Sequence, residues 1–187
     1  MKPALRKRAG AVRVPAAVSA AIQRRLLEED WWDAAFAAGL YLATPAEPST
    51  DALLADLLAR GALAAVPVRA GTTYRWMGVD PDTRWRRGAF GIREPIRGKP
   101  VAASDLRVVI VPGVLFDLQG GRLGHGGGHF DRLLAKTVGL RVGLCPERRL
   151  VGNVPMESHD VRMDAVVTES RTLFMPSAAE KLERVTG

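Results

Sequence analysis

One stretch, Arg107 to Lys136, constrains the fold of this chain more than any other part of the sequence. It opens with a β-branched apolar run, Val108 to Val111, which predicts a buried strand that ends at Pro112-Gly113. A glycine-rich segment follows, and Phe130 to Lys136 then predicts a helix. A strand, a glycine-rich loop and a helix in succession favour anion binding, because glycines allow close backbone approach and loop N–H groups attract negative charge.

The glycine pattern leaves the type of anion open. The P-loop consensus requires Lys followed by Ser or Thr after its last glycine, and the stretch lacks that pair. The dinucleotide-binding consensus also fails, because His129 stands where its third glycine belongs after Gly124 and Gly126. A flexible surface turn is the plain alternative, but six glycines within positions 120–128 cost much backbone entropy. We therefore predict a phosphate-binding loop of unspecified type.

Length and composition indicate one globular domain. The chain has 187 residues, of which 47% are hydrophobic and 25% charged, as expected for a domain with a sizeable core. The longest apolar run, residues 34–43, is far too short to span a bilayer, so we expect no membrane segment. The single cysteine, Cys145, follows an apolar run and excludes an intrachain disulfide, so we expect a packed thiol and a reducing, cytoplasmic location.

Basic residues are concentrated at the amino end. The net charge is +7, and seven basic residues precede the first acidic one, Glu28: Lys2, Arg6, Lys7, Arg8, Arg13, Arg24 and Arg25. Such an end suits nucleic acid, an anionic membrane, a transit peptide or an anionic small ligand. We rank nucleic acid low, because no RNA-binding motif or array of stacking aromatics accompanies these charges.

The order of predicted elements is typical of an α/β fold. Helices are predicted at Pro15 to Ala38, from Ser49 or Thr50 to Arg60, and at Ala178 to Arg184. Strands are predicted at Leu40 to Leu42, Ala62 to Val68, Thr72 to Val79, Val108 to Val111, Leu140 to Leu144 and Ala165 to Thr168. This alternation predicts a single-domain three-layer α/β/α sandwich with a mostly parallel open sheet over residues 1–187. Ligands bind such sheets at the carboxyl ends of strands, where the glycine loop falls.

Two carboxylates suggest a magnesium site beside the glycine loop. Asp131 follows the loop, and Asp164 stands at the entrance of the last predicted strand. Mg²⁺ prefers carboxylate and phosphate oxygens, so the pair would share the ion with nucleotide phosphates. The alternative is that Asp131 caps its helix and Asp164 ends a turn. His125 and His129 lie among glycines rather than on a predicted helix, which disfavours a zinc site.

Five motifs in a fixed order carry a resemblance to one family. They are Lys2-Pro3-Ala4-Leu5-Arg6, Glu47-Pro48-Ser49-Thr50, Glu94-Pro95, the glycine stretch from Val111 to Arg132, and the segment from Pro155 to Asp164 with His159-Asp160 inside it. Their set and order resemble the 5-formyltetrahydrofolate cyclo-ligase family, whose glycine motif is approximately VPGVAFD…RLGxGxGYYDR. Each motif alone is modest, but the ordered set covers nearly the whole chain.

The resemblance implies an ATP- and Mg²⁺-dependent ligase of folate metabolism. In that family the formyl oxygen of 5-formyltetrahydrofolate takes the γ-phosphoryl group of ATP. The nitrogen at position 10 then attacks the formyl carbon, and the products are 5,10-methenyltetrahydrofolate, ADP and phosphate. The implied protein is a monomeric cytoplasmic enzyme that acts on a folate, with or without a polyglutamate tail, and has no nucleic-acid or membrane partner.

The resemblance also assigns site residues. The ATP phosphates are assigned to Lys2 and Arg6, and catalytic roles to Arg6, Arg122 and Asp131. The ATP loop comprises Arg122, Leu123, Gly124, His125, Gly126, Gly127, Gly128, His129 and Phe130. Mg²⁺ is assigned to Asp131 and Asp164, and the folate to Leu42, Glu47 and Phe90.

Two departures from the family pattern stand in the loop. His129-Phe130 replaces a tyrosine pair, which removes two hydroxyls, and Gly127 replaces a lysine that some members carry. His125 or Arg132 are candidates to supply the missing charge. Two alternatives stay open: a paralogue that binds nucleotide or folate without catalysis, and an RNA-associated basic protein with strongly salt-dependent affinity.

Overall fold

The structure, a computed structural model, describes Lys2, residues 12–88 and residues 91–187. The helices are α1 (Ala16–Leu27), α2 (Asp30–Ala34), α3 (Asp51–Ala59), α4 (His129–Leu134) and α5 (Ala178–Thr186). The strands are β1 (Ala37–Leu40), β2 (Leu63–Ala70), β3 (Thr73–Val79), β4 (Trp85–Arg87), β5 (Arg93–Pro95), β6 (Pro100–Val101), β7 (Val108–Val111), β8 (Leu115–Asp117), β9 (Arg122–Leu123), β10 (Leu140–Leu144), β11 (Leu150–Val151), β12 (Ala165–Val167) and β13 (Thr172–Phe174). None of the helices in these residues is long and apolar enough to cross a membrane.

An eight-stranded sheet organises the chain, in the order β13-β12-β10-β7-β1-β2-β3-β6. The five strands from β12 to β2 run parallel, while β13, β3 and β6 pair antiparallel at the edges. The central strand β7 is an uninterrupted buried apolar run, as expected of a parallel strand covered on both faces. The predicted α/β fold with a mostly parallel open sheet is confirmed.

Alternate residues of the central strands pack on opposite faces of the sheet, because successive side chains of a strand point in opposite directions. Val108 and Ile110 belong to an apolar cluster that includes side chains of α1, α3 and α5. Val109 and Val111 belong to a second cluster that includes side chains of α4 and of connecting segments. The helical layer is therefore thick on one face and thin on the other.

The amino-terminal helix is shorter than predicted. The prediction of one helix over residues 15–38 is wrong, because α1 ends at Leu27, α2 is separate, and Ala37–Leu40 form β1. This strand pairs with β2 on one side and β7 on the other, and all four of its residues are buried. An alanine-rich sequence favours a helix locally, but two strand ladders and burial outweigh that propensity here. The strand predicted at residues 40–42 is displaced toward the amino end for the same reason.

Other predicted boundaries agree closely with the structure. β7 and β10 match residue for residue, and α3 ends just before Gly61, whose φ of 69° is typical of the residue after a helix. Of the two residues predicted to begin α3, Ser49 accepts the Asp51 N–H through its Oγ at 3.1 Å, whereas the Thr50 side chain accepts no N–H of the helix. Its hydroxyl donates instead to the Tyr41 carbonyl at 2.6 Å, which ties the start of α3 to the segment after β1.

Cys145 is the packed thiol that the sequence predicted. It is buried at the end of β10, and its Sγ donates to the Pro146 carbonyl at 3.2 Å. Burial raises the pKa of Cys145 to about 12. The thiol is therefore protonated and unreactive at neutral pH.

The chain changes direction across the sheet between β1 and β7. From β1 it continues to β2 and β3 on one side, whereas β7 is followed by β10 and β12 on the other. Neighbouring parallel strands whose connections leave in opposite directions open a crevice at their carboxyl ends, where α/β proteins bind ligands. The segment after β1, which carries Leu42 and Glu47, and the segment after β7, which carries the glycine loop, therefore meet at this crevice.

Candidate active site

The segment after β1 places a buried carboxylate at the crevice. Thr44 donates its backbone N–H and its hydroxyl to Glu47 Oε2, at 2.9 and 2.8 Å. The Glu47 N–H donates in return to the Thr44 carbonyl at 3.0 Å. These bonds fix the carboxylate and engage Oε2. Leu42, which was also assigned to the folate, is buried in the core cluster at the same end of β1.

The glycine loop reaches this segment through His125. Its Nδ1 lies 3.9 Å from Glu47 Oε1, and the imidazole is 57% exposed while the carboxylate is only 7% exposed. The structure thus brings together the carboxylate predicted for the folate and the loop predicted for ATP. They arrive from different strands, so no local sequence pattern contains this contact.

Only the second half of the glycine-rich stretch forms an open loop. Gly120 and Gly121 lie in the turn between β8 and β9, where Asp117 Oδ1 accepts the Gly121 N–H at 2.6 Å. Gly120 has a φ of 77°, and a Cβ on it would collide with the Met163 carbonyl. These two glycines therefore lie in a buried, ordered turn, which is neither the predicted phosphate loop nor the flexible surface turn. Residues 124–128 remain at the surface as the candidate ligand loop.

Arg132 and His129 order the far end of the loop. The Arg132 guanidinium donates to the Gly127 carbonyl at 3.1 Å and lies 2.9 Å from His129 Nδ1. Because arginine has only donors, Nδ1 accepts, and a neutral His129 carries its proton on Nε2. The Tyr74 ring of β3 packs against this imidazole, with centroids 5.2 Å apart.

Asp131 pairs with an arginine beneath the loop. Arg122 Nη2 donates to Asp131 Oδ1 at 2.5 Å, and Nη1 donates to the Pro112 carbonyl at 3.2 Å. The Arg122 side chain is 4% exposed, against 16% for Asp131. In the structure Arg122 therefore reaches the crevice through Asp131, which it orients. Leu123, another residue assigned to the ATP loop, contributes its side chain to a small apolar cluster.

A second carboxylate lies beside Asp131. Asp131 Oδ1 also accepts the Val161 N–H at 3.3 Å, which places it next to Asp160. Lys2 Nζ lies 2.8 Å from both Asp160 Oδ2 and Glu157 Oε1. Burial raises the pKa of Asp160, but hydrogen bonds from Lys2 and the Glu157 N–H outweigh it and leave that pKa below its usual value. Hydrogen bonds to the same two carboxylates raise the pKa of Lys2.

Asp164 does not fit its predicted role as a magnesium ligand. It is fully buried, and Arg141 donates to it through its backbone N–H, Nε and Nη2, each at 2.9 Å. Lys181 Nζ and the Ser177 hydroxyl donate to it as well, at 2.7 and 2.8 Å. Asp164 also precedes β12, at the amino ends of the parallel strands, whereas the glycine loop follows their carboxyl ends. We therefore propose Asp160 in place of Asp164 for the metal position.

The two remaining carboxylates fit a nucleotide-bound magnesium ion. The described residues contain no group of three or more His, Cys, Asp or Glu side chains arranged to hold a metal. Mg²⁺ at nucleotide sites takes one or two carboxylates and completes its shell with phosphate oxygens and water. Asp131 and Asp160 match that requirement.

Two predicted site residues lie outside the described residues, and two residues near the site were not predicted from the sequence. Arg6 and Phe90 lie outside the described residues. Arg149, which is buried and donates to the carbonyls of Ala46 and Val12, was not predicted from the sequence. Neither was Asp117, which orders the turn before the loop. Burial of a charged side chain leaves no local pattern in the sequence.

Comparison with a family model shows the family to which the chain belongs. The model of the 5-formyltetrahydrofolate cyclo-ligase family matches residues 2–169. The chain belongs to the 5-formyltetrahydrofolate cyclo-ligase family. The predicted enzyme class, a carbon–nitrogen cyclo-ligase, is thereby confirmed.

Individual relatives of the cyclo-ligase agree with this assignment. It is 30% identical over 145 residues to the 5-formyltetrahydrofolate cyclo-ligase of Mycolicibacterium smegmatis, which covers 70% of this chain and 72% of the relative. A probable cyclo-ligase of Caenorhabditis elegans is 25% identical over 173 residues, or 82% of each chain. The NMR structure of Aquifex aeolicus 5,10-methenyltetrahydrofolate synthetase superposes with a TM-score of 0.84 at 29% identity, covering 94% of this chain and 93% of that one. A Mycoplasma pneumoniae synthetase, at 17% identity and a TM-score of 0.69, shares the fold.

Proposed function

We propose that this cyclo-ligase converts 5-formyltetrahydrofolate to 5,10-methenyltetrahydrofolate, with ATP as second substrate and Mg²⁺ as its counter-ion. The approach of His125 to Glu47 within 3.9 Å carries the proposal. It joins a carboxylate suited to a pterin and a backbone loop suited to phosphates in one crevice. Transfer of a phosphoryl group between two bound ligands requires such proximity.

Glu47 is the group proposed to hold the pterin. An ionised carboxylate only accepts hydrogen bonds, and the pterin ring presents N–H donors. Thr44 engages Oε2, so Oε1 is the oxygen directed toward the crevice and the loop. Leu42 and Phe90 are proposed to line the apolar side of the folate.

The loop of residues 124–128 is proposed to hold the ATP phosphates, together with Lys2 and Arg6. Gly126 and Gly128 have φ values of 100° and 60°, which glycine adopts without strain, so the loop can turn its backbone toward an anion. Asp131 and Asp160 would hold Mg²⁺, which when bound neutralises phosphate charge. Arg122 keeps Asp131 in position.

The proposed reaction turns a poor leaving group into a good one. The formyl oxygen forms a bond to the γ-phosphorus of ATP while the bond from that phosphorus to ADP breaks. The nitrogen at position 10 then bonds to the formyl carbon and loses its proton, and the carbon–oxygen bond breaks as phosphate leaves. Such a reaction needs positioning and charge neutralisation more than a protein nucleophile.

Turnover in a defined mixture tests the proposal. The protein is mixed with MgATP and 5-formyltetrahydrofolate, and methenyl absorbance is followed together with ADP. We expect both products in equal amounts and neither without ATP. A folded protein that binds the ligands but forms no ATP-dependent product would be a non-catalytic paralogue and would overturn the proposal.

We further propose a monomeric enzyme, as the family resemblance implies, and a cytoplasmic location, which the free buried thiol of Cys145 suits. Sedimentation velocity at assay concentration should show one species with the mass of a single chain. A stable dimer in the active preparation would remove this part of the proposal.

A further inference from the structure

Arg149 is a buried charge that lies outside the phosphate and folate positions assigned above. The residue is 4% exposed and ends the 3-10 turn Glu147–Arg149, which follows β10 at the carboxyl end of the sheet. Removing a guanidinium from water is costly unless hydrogen bonds replace those lost. The groups that it contacts therefore indicate its role.

These groups belong to two separate segments of the chain. Nη1 donates to the Ala46 carbonyl at 2.6 Å, next to the carboxylate Glu47. Nη2 donates to the Val12 carbonyl, in the segment that precedes α1 and connects it to Lys2. The guanidinium is planar and rigid, so a bridge of this kind fixes the two carbonyls relative to each other.

A backbone bond joins the same two segments beside the guanidinium. The Val14 N–H donates to the Pro45 carbonyl at 3.0 Å. Residues 12–14 and the Glu47 segment therefore lie side by side, and Arg149 bonds to both. Burial, with a smaller effect from Arg148, lowers the pKa of Arg149, while the charge of Glu47 acts in the opposite direction.

We propose that Arg149 is a positioning residue that couples the two substrate sites. When a folate orders the Glu47 segment, the bridge holds residues 12–14, which the chain joins to the proposed phosphate contact Lys2, and ATP bound at Lys2 acts in the reverse direction. Such coupling is reciprocal, because each ligand changes the affinity for the other by the same factor. This inference rests on the proposed function.

Equilibrium binding tests the coupling. The Kd for 5-formyltetrahydrofolate is measured by calorimetry with and without the magnesium complex of a non-hydrolysable ATP analogue. In the unmodified enzyme the analogue should lower this Kd about 10-fold. In Arg149→Gln the effect should fall below about 2-fold, because the shorter neutral side chain cannot bridge the two carbonyls.

Two further variants control the experiment. Arg148→Gln should keep the coupling, because Arg148 is exposed and, among the described residues, its Nη2 bonds to one carbonyl, that of Arg13, at 3.3 Å. Arg149→Lys keeps the charge but lacks the two-pronged donor group, so its coupling should also be weakened. This variant decides the matter if Arg149→Gln does not fold.

The outcomes separate this inference from the proposed function. An unmodified enzyme without turnover contradicts the proposed function itself. If turnover is present but the analogue changes folate affinity equally in the unmodified enzyme and the Arg149 variants, the coupling role is wrong. The coupling role is equally wrong if the analogue leaves the folate affinity of the unmodified enzyme unchanged.

Discussion

Gly127 and His129 depend on each other sterically. A Cβ at Gly127 would lie 2.5 Å from His129 Cδ2 and 2.7 Å from Nε2, so the imidazole occupies the space that a side chain there would need. The two departures from the family motif are therefore one linked change. Because Arg132 engages Nδ1, the Nε2 proton of His129 is left to donate to an anion on the loop.

This linkage predicts a non-additive pair of substitutions. Gly127→Lys alone should lower kcat/KM for ATP about 10-fold, because the new side chain displaces His129. Adding His129→Tyr should recover most of the loss, with an interaction energy of about 1–2 kcal/mol in a double-mutant cycle. Strictly additive effects would show that the two positions act independently.

The proposal that Asp160 rather than Asp164 holds the metal can be tested by a substitution that removes one carboxylate charge. Asp160→Asn keeps the side-chain shape but removes a proposed ligand, so turnover should fall by roughly 10–100-fold and require more Mg²⁺ for half-maximal rate. The measurement is turnover against Mg²⁺ concentration, with Asp164→Asn as the matched control. An unchanged Mg²⁺ dependence in Asp160→Asn would exclude that residue from the site.

At the scale of elements, Asp164 joins α5 to the sheet. Arg141 of β10 and Lys181 of α5 both bond its carboxylate. We expect Asp164→Asn to lower the free energy of unfolding by roughly 3 kcal/mol, because it leaves buried cations without their counter-charge. Urea unfolding measures the loss, and a change below the experimental error would contradict the network.

The same carboxylate predicts a pH dependence of stability. Burial raises the pKa of Asp164, but hydrogen bonds from Arg141 and Lys181 outweigh it, so the folded-state pKa lies below the ordinary value of 3.8. The stabilisation is therefore complete above the unfolded-state pKa and is lost as pH falls through the folded-state pKa. Asp164→Asn should flatten the unfolding free energy against pH below about pH 4.

The central strand β1 depends on a glycine for its fit. A Cβ at Gly39 would lie 2.8 Å from the Trp76 ring and 2.9 Å from Leu106 Cδ1. Gly39→Ala should therefore destabilise the protein by about 1–3 kcal/mol through overpacking. Gly152→Ala is the matched control, because nothing lies within 4 Å of its added Cβ and it should be neutral in the same urea titration. Equal midpoints for both variants would contradict the packing argument.

This strand also shows where sequence prediction stops. The apolar β-branched runs of β7 and the run of β10 were predicted to the residue, because burial on both faces leaves a local pattern. The alanines before Gly39 carry no such pattern, and their strand state is set by ladders to β2 and β7. A contact made by distant residues cannot be recognised from a short window.

At the scale of the whole molecule, some features of the site could be predicted from sequence motifs, whereas others depend on contacts between distant segments. Glu47, the glycine loop and Asp131 were predicted from ordered motifs, and their meeting at one crevice follows from a parallel sheet. Asp160 and Asp164 lie four residues apart in one motif, so only the topology shows which carboxylate faces the crevice and which is buried. The bridge made by Arg149 depends on three separate segments and had no sequence pattern.

The buried thiol of Cys145 is a probe of the local opening of the folded protein in solution. It is the only cysteine in the sequence, and its N–H bonds to the Val167 carbonyl at 3.1 Å. A disulfide reagent at pH 8 should therefore label the folded protein at least roughly 100-fold more slowly than the urea-unfolded chain. Labelling at the unfolded rate would contradict the buried environment.

The Cys145 thiol lies close to the crevice, since only Pro146 separates it from the 3-10 turn that carries Arg149. The rate at which a reagent labels the Cys145 thiol therefore reports how often the protein opens at the carboxyl ends of the strands. Substrates that bind in the crevice should slow the labelling of Cys145, whereas a ligand that binds elsewhere should leave the labelling rate unchanged. The labelling rate of this single thiol therefore measures a local opening of the folded protein that the static structure does not show.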